Sequence, residues 1–262
     1  MPKYFDIHCH LNSHEYDEDR EAVMERLALS ETSVIVVGTD FESSKWAVEL
    51  AEKHENVYAC IGVHPAEGPE HKGFNKSEGW DELMKRPKVV AIGECGIDLF
   101  KIDKEKDYER QKKLFIEQIE FALEHDKPIM IHSRDAYDEV LEILEPLVRL
   151  HGHKLRGNSH FFTGTLEQAK RYWAIGFTTS FTGVITFALD YDEVIKNAPM
   201  DMIMSETDAP WVSPTPYRGK RNEPSYVSEV VKKIAEIRGE DEILVQKTLV
   251  ENALRMFQIT LA

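Results

Sequence analysis

The sequence predicts an α/β protein folded as a TIM-type (β/α)8 barrel, and three observations support this prediction. Eight short apolar segments rich in β-branched residues recur along the chain, and helix-like patterns separate them. The length of 262 residues is ordinary for one such barrel. No repeat, low-complexity segment or linker interrupts the pattern, so we expect a single domain over residues 1–262.

The predicted strands are short runs of apolar residues bounded by turn-forming residues. They cover residues 3–9, 33–38, 57–63, 89–94, 128–132, 157–162, 176–181 and 200–206. Eight is the number of strands that closes a barrel of this type.

Helix patterns lie between the strands. The clearest covers residues 108–125, where Leu114, Gln118 and Phe121 recur at three- and four-residue spacing. Further helices are predicted over 136–150, 225–238 and 241–256, and several prolines mark a long loop after Asp208. A doubly wound open sheet is the alternative, but it would not easily bring distant strands to one point.

The composition limits the classes of function. The chain has 32 Lys and Arg against 47 Asp and Glu, and the net charge of −15 argues against a broad nucleic-acid-coating surface but not against a local phosphate site. The apolar runs are too short to cross a bilayer, and no secretory signal is evident, so we expect a cytoplasmic protein without a membrane partner. The three cysteines are expected to be reduced and buried.

Candidate metal ligands stand at the ends of predicted strands. His8 and His10 flank Cys9, so two-residue alternation sends both imidazoles to one face. The carboxyl ends of barrel strands surround one mouth, so these side chains should converge into a divalent-cation site. The candidate ligands are His8, His10, Glu94, His132, His160 and Asp208.

Each of these motifs is weak when it stands alone, because strand histidines often satisfy hydrogen bonds in the core. A buried Glu94 needs either a metal or a cationic partner, for which Arg134 or a lysine is the alternative. His64 ends the third strand and adds another histidine to the same rim. Glu206 is expected to form an ion pair with a lysine.

Seven segments taken together resemble the TatD family of metal-dependent deoxyribonucleases, within the amidohydrolase superfamily. The resemblance spans nearly the whole chain in order, and the motifs are specific as a set. It implies a TIM-type barrel with one or two divalent ions and hydrolysis of DNA phosphodiesters, often from 3′ to 5′, with action at abasic or damaged ends. The segments are DIHCHL (6–11), GVHP (62–65), GECGID (93–98), PIMIH (128–132), HFFTG (160–164), SETDAP (205–210) and RGKRNEP (218–224).

The resemblance also implies the roles of the ligands. It places His8, His10, Glu94 and Asp208 on one metal, and Glu94, His132 and His160 on the other, with Glu94 as the bridge. Two departures affect the pocket wall, because Phe161 stands where many relatives carry cysteine and Ala209-Pro210-Trp211 stands where Ser-Pro-Tyr is common.

The expected catalytic residues are Asp208, His64 and Glu94. A metal-activated water attacks the phosphorus, Asp208 holds or accepts its proton, and His64 contacts a phosphate oxygen or protonates the leaving group. Guanidinium groups match phosphate oxygens, although Arg218, Lys220 and Arg221 could equally be simple loop charges. Besides His64, the candidate phosphate contacts are Arg134, Arg218, Arg221 and Asn222.

Two other functions remain open from the sequence. The same ligands could serve an amidohydrolase or phosphotriesterase-like enzyme acting on a small ester, amide or lactone, or on the ester of a charged tRNA. A non-catalytic binding barrel is disfavoured, since no candidate ligand is missing. The expected partner is DNA, preferably single-stranded or at an end, the protein is expected to be a monomer, and the metal can be Mg, Mn or Zn.

Overall fold

The computed structural model describes residues 1–66, 74, 79–100 and 104–261. In this part of the chain, eight parallel strands follow one another in sequence order and form a nearly closed barrel, which confirms the predicted fold class. The strands are β1 Tyr4–Cys9, β2 Thr32–Val37, β3 Val57–Ile61, β4 Val89–Asp98, β5 Ile129–Arg134, β6 Gly157–Ser159, β7 Thr178–Phe181 and β8 Ile203–Ser205.

Helices cover the outer face of the barrel. They are α1 Arg20–Leu29, α2 Phe41–Lys53, α3 Trp80–Met84, α4 Lys104–Glu124, α5 Tyr137–His151, α6 Leu166–Ala174, α7 Asp192–Asn197, α8 Val227–Arg238 and α9 Glu242–Met256. Short 3₁₀ turns lie at His14–Tyr16, Gly152–Lys154, Gly183–Thr186, Met200–Met202 and Pro224–Tyr226. No helix in the described residues combines the length and apolarity that a membrane span requires.

The strands are buried on both faces, which explains their continuous apolar runs. In β2, Val34 and Val36 pack outward into the layer between barrel and helices. Ile35 and Val37 point inward, into a second cluster that also contains Phe257 from the end of α9. The barrel interior is therefore filled with apolar side chains over part of its length, and the polar groups described below gather at its carboxyl end.

The barrel closes through side chains as well as backbone. β8 is only three residues long, and an isolated bridge between Cys9 and Ala209 joins the loop after β8 to β1. The buried Asp6 carboxylate accepts hydrogen bonds from the Thr207 backbone N–H and from its hydroxyl. Asp208 N–H donates to the His8 carbonyl oxygen at 2.9 Å. These bonds hold the loop that carries Asp208 against β1.

Some strands differ in length from the predicted ones. β6 is shorter than predicted, because Phe161 adopts a left-handed φ angle of 45° that a strand cannot contain. β8 is shorter than predicted, because Met200–Met202 form a 3₁₀ turn before it. β4 is longer than predicted, because it stays paired with β5 as far as the Asp98–Arg134 partners. Glu94 therefore lies inside a strand and not at its end.

The loop after β3 is held by one side chain of α4. Gln118 is fully buried, and its carboxamide donates to the Val63 carbonyl oxygen at 2.9 Å and accepts from the Val63 N–H at 2.8 Å. The helix predicted from the spacing of Gln118 and its apolar neighbours is confirmed. The Gln118 side chain lies at a core position, where it satisfies the backbone of Val63, the residue before His64.

We expect Gln118→Ala to lower the free energy of unfolding by about 2 to 4 kcal/mol, because both Val63 backbone groups would lose their partner inside the protein. Chemical denaturation followed by circular dichroism measures the change. Glu120→Ala, on the exposed face of the same helix, is the control and should change stability by less than about 0.5 kcal/mol. Equal stability of the two variants would contradict this account.

Candidate metal centre

Four donor atoms from β1, β4 and the loop after β8 meet at the carboxyl end of the barrel. His8 Nε2 lies 3.1 Å from His10 Nε2 and 3.5 Å from Glu94 Oε2. Asp208 Oδ1 lies 3.7 Å from His8 Nε2 and 3.6 Å from His10 Nε2. We call these residues the first donor set.

A second donor set gathers around the other oxygen of Glu94. His132 Nδ1 lies 2.7 Å and His160 Nε2 lies 2.8 Å from Glu94 Oε1. The two imidazole nitrogens are 3.4 Å apart. Each oxygen of one carboxylate thus faces its own group of donors, which is the geometry of a bridging ligand between two ions.

Both donor sets have the chemistry of a divalent-cation site, and the first set also has the spacing of one. In the second set, the distances of 2.7 and 2.8 Å from His132 and His160 to Glu94 Oε1 are those of hydrogen bonds. Nitrogen and oxygen ligands bind Zn²⁺ at about 2.0–2.2 Å, which places the donors of a tetrahedral site roughly 3.3 Å apart. The measured separations in the first set run from 3.1 to 3.7 Å. The six residues that the sequence predicts as ligands all lie in these two sets, and imidazole with carboxylate is compatible with Zn, Mn or Mg.

The electrostatics of the cluster centre on Glu94, whose side chain is 5 % exposed. Burial works to raise the pKa of this carboxyl, but the neighbouring histidines His160, His64 and His8 outweigh burial and lower the pKa well below its usual range. The described part of the chain places no lysine or arginine in an ion pair with Glu94. The alternative of an Arg134 or lysine partner is therefore not met.

The histidines divide into two groups by charge. Burial lowers the pKa of His8 to about 4, helped by the charge of His160. Burial also works against the charged form of His132, but hydrogen bonds to Asp98 and Glu94 raise its pKa to about 9. His8 is thus ready to bind a metal as a neutral ligand, whereas His132 must release a proton from Nδ1 to do so.

Further hydrogen bonds orient the ligands from behind. His10 Nδ1 lies 3.1 Å from the Val37 carbonyl oxygen, which can only accept, so the proton sits on Nδ1 and leaves Nε2 free as a ligand. His132 Nε2 lies 3.0 Å from Asp98 Oδ2 in the same arrangement, with a carboxylate in place of a carbonyl. Such partners fix both the tautomer and the ring orientation.

Sequence reasoning gave no role to Asp98 or Asp6. For Asp98 a signal existed, because Glu94, Gly96 and Asp98 alternate along one strand and strand alternation sends the two carboxylates to one face. Asp6 has the same signal in β1, since it stands two residues before His8. Asp98 lies beyond the end of the predicted strand 89–94, and Asp6 lies in the interior of the first predicted strand.

Among the residues that the structure describes, Glu206 pairs with no lysine, so that expectation is wrong. Its fully buried carboxyl accepts hydrogen bonds from the Phe161 N–H and the Ser180 hydroxyl, and Oε1 lies 3.8 Å from His160 Nδ1. Burial, with a contribution from the charge of Asp208, raises the pKa of Glu206 well above its usual value. The carboxyl group supports the loop that carries His160.

His64 enters the pocket from the loop after β3. The Ala66 N–H donates to His64 Nδ1 at 3.1 Å, so a neutral imidazole carries its proton on Nε2. That Nε2 lies 3.5 Å from Glu94 Oε1. Burial lowers the pKa of His64 to about 3, which keeps the ring neutral and makes Nε2–H a hydrogen-bond donor beside the donor sets.

A pocket of about 730 Å³ opens above the two donor sets. Besides the ligands and His64, its walls contain aromatic and apolar side chains, among them Phe161, Tyr191 and Trp211. Arg134 is the one lysine or arginine among the lining residues that the structure describes, and its guanidinium stacks 3.6 Å above the Phe100 ring. The pocket thus combines a polar floor with largely uncharged walls.

Arg218, Arg221 and Asn222 are not among the described residues that line this pocket, and their role as phosphate contacts stays a prediction. Arg221 donates two hydrogen bonds of 2.7 Å to the Asp19 carboxylate. Arg218 stacks 3.7 Å above Phe187 and donates to a backbone carbonyl. Each guanidinium is engaged by the protein itself.

Asn222 is fully buried and ties together the loop that follows β8. Its amide group donates to the Thr207 carbonyl at 3.0 Å and to the Trp211 carbonyl at 2.6 Å. Its own N–H donates to the Pro210 carbonyl at 2.9 Å. On its other side, Glu223 accepts two hydrogen bonds from Arg26. Asn222 therefore positions the turn that carries Asp208.

Comparisons with known proteins agree with this arrangement. A model of the TatD-related DNase family matches residues 5–258. The chain is 39% identical over 259 residues to the uncharacterized metal-dependent hydrolase YabD of Bacillus subtilis, covering 97% of this chain and 99% of that protein. It is 32% identical to the 3′-5′ ssDNA/RNA exonuclease TatD of Escherichia fergusonii over 265 residues, covering 98% and 99%.

The fold comparison leads to the same group of proteins. The crystal structure of YjjV, a TatD homologue from Escherichia coli K12, superposes with a TM-score of 0.88 at 30% identity, covering 98% of this chain and 99% of that one. A TatD-family hydrolase from Entamoeba histolytica superposes with a TM-score of 0.84 at 22% identity, covering 97% of each chain. The latter supports the fold alone.

Loss of the bridging carboxylate should affect both metals. We expect Glu94→Ala to reduce the metal content of protein purified in excess Mn²⁺ or Zn²⁺ from about two ions per chain to less than one, because each donor set loses an oxygen. His10→Ala, which removes a ligand of the first set alone, should retain the second ion. Plasma emission spectrometry measures the content, and two ions per chain in Glu94→Ala would disprove the bridge.

Loss of the carboxylate behind His132 should affect one metal selectively. We expect Asp98→Ala to lower the metal affinity of the second donor set by about 10- to 100-fold. The metal affinity of the first donor set should stay unchanged. Isothermal titration of chelator-treated protein measures both affinities. The exposed Asp17 provides the control variant Asp17→Ala, and an equal loss at both sets in Asp98→Ala would show a general disruption instead.

Proposed function

The chain belongs to the family of TatD-related DNases, and from this premise we propose that it is a metal-dependent hydrolase that cleaves DNA phosphodiester bonds. The observation that carries the proposal is the Glu94 carboxylate, whose two oxygens face two separate donor sets at the floor of an open pocket. The catalytic unit we propose is one barrel domain over residues 1–262.

Three residues of this chain have positions that suit the reaction. Divalent ions bound at the donor sets would supply Lewis acidity at the phosphoryl group and lower the pKa of an attacking water. Asp208 lines the pocket through a side chain that is 13% exposed, and its carboxylate can accept the proton of that water. His64 presents Nε2–H to a phosphate oxygen, and Glu94 holds the two donor sets at a fixed separation.

The substrate we propose is a single-stranded end, attacked from 3′ to 5′. Relatives such as the Escherichia fergusonii protein carry the name 3′-5′ ssDNA/RNA exonuclease. The net charge of −15 and the scarcity of cations in the pocket wall favour a short footprint, with Arg134 as the phosphate contact beyond the donor sets. Abasic or damaged ends would fit the same open mouth.

Cleavage of a 5′-labelled single-stranded oligonucleotide tests the proposed function. Protein loaded with Mg²⁺, Mn²⁺ or Zn²⁺ should shorten the strand one nucleotide at a time, and excess EDTA should abolish cleavage. Because few cations line the pocket, the logarithm of kcat/KM should fall with the logarithm of salt with a slope of about −2 or shallower. A panel of small esters, amides and lactones serves as the comparison.

Two outcomes would overturn the proposal. Full cleavage in EDTA by protein shown to contain no metal would exclude the metal-dependent chemistry. Turnover of the small esters without any cleavage of DNA would point instead to the amidohydrolase-like alternative.

A further inference from the structure

A large aromatic side chain stands in the pocket wall with half of its surface exposed. Trp211 is 51% exposed, and its ring centroid lies 5.0 Å from that of His10, a member of the first donor set. Folding does not require a tryptophan to remain this exposed, since indole is usually well buried. An exposed aromatic ring beside a reaction centre offers a surface to a ligand.

The backbone of Trp211 is held by the same turn that positions Asp208. The Trp211 backbone N–H donates to the Asp208 carbonyl at 3.0 Å, and the Trp211 carbonyl accepts from the Asn222 side-chain amide at 2.6 Å. Arg221 and Glu223, on either side of Asn222, are anchored by bidentate ion pairs to Asp19 and Arg26. These bonds fix the backbone from which the indole projects relative to the donor sets, which reduces the entropy that binding must overcome.

The chemistry of the wall indicates what the indole could bind. Val184 and Val212 also line the pocket, and a single described arginine, Arg134, supplies positive charge from the end of β5. Phosphate contacts alone therefore offer little affinity for a nucleic acid. Stacking of a base on an aromatic ring provides affinity that needs no cation and depends little on sequence.

The size of the pocket restricts the form of the ligand. A volume of about 730 Å³ falls within the range that holds one small organic molecule, roughly 300–1,000 Å³. This room suits an unpaired nucleotide.

We propose that Trp211 is the stacking platform for the terminal base of a single-stranded substrate and so selects ends that carry an intact, unpaired base. This inference rests on the proposed nuclease function and deepens it. Trp211 determines specificity through the base, whereas the donor sets and His64 act on the phosphate.

Two matched oligonucleotides test the role of Trp211. They share one sequence and a 5′ label, but one ends in a normal 3′ nucleotide and the other in a 3′ tetrahydrofuran abasic nucleotide. Removal of a stacking partner from a nucleic-acid site costs on the order of 10-fold or more. Trp211→Ala should therefore lower kcat/KM about 10-fold for the normal end, mainly through KM, and bring the preference for the normal over the abasic end close to unity.

Two further variants separate stacking from structure. Trp211→Phe retains an aromatic face and should keep most of the preference. Phe187→Ala removes another partly exposed aromatic ring, 42% exposed, which lies outside the described pocket lining, and should leave the preference unchanged. Equal losses on both oligonucleotides in Trp211→Ala, or failure of Trp211→Phe to restore the preference, would overturn the proposal.

A binding measurement keeps this inference distinct from the nuclease assignment. An oligonucleotide with 2-aminopurine at its 3′ end and a hydrolysis-resistant last linkage should lose fluorescence on binding the Mn²⁺-loaded wild-type protein and lose much less on binding Trp211→Ala, while cleavage is followed separately on the unmodified strand. Absence of this difference would overturn stacking, whether or not the wild type cleaves. Quenching without cleavage would support stacking and sink the nuclease function instead.

Discussion

The balance of charge around one buried carboxylate governs this site. Glu94 lies inside a strand with five imidazoles near its oxygens and with no lysine or arginine ion pair in the described residues. An unpaired ion in such a place costs several kcal/mol. Neutral imidazoles cannot supply the missing charge, so protonated histidine or bound cations must do so. The need for cations is therefore built into the barrel itself.

The junction between β8 and β1, where the barrel closes, holds Asp208 close to Glu94 and the histidines. β8 is too short to close the barrel by a regular ladder, and side chains from two motifs complete the closure. Asp6 joins β1 to Thr207, while Asn222 joins the same loop to Pro210 and Trp211. The left-handed Asp208 sits between these two anchors. A ligand in a strained turn keeps its position only because the surrounding bonds determine it.

The acidic surface and the uncharged pocket walls suggest how such an enzyme would select its substrate. An extended basic track is absent from the described pocket lining, where Arg134 is the single lysine or arginine. Recognition then depends on the donor sets, on neutral His64 and on stacking against the wall. Substrates that thread an end into the pocket satisfy these contacts, whereas a duplex passing over the surface meets mainly negative charge.

Residue patterns alone determined the class of fold and predicted which side chains gather at the barrel mouth. Strand and helix periodicity sufficed for the fold, and His8, Glu94 and Asp208 come together because a barrel directs the carboxyl ends of all its strands to one mouth. Only the tertiary structure could show that Arg221 and Asn222 support a turn and that Asp98 stands behind His132. The role of Arg221 depends on a partner far away in the chain, Asp19. The role of Asp98 depends on whether β4 continues beyond Glu94. Local patterns carry no information on either, because both are decided by packing between elements.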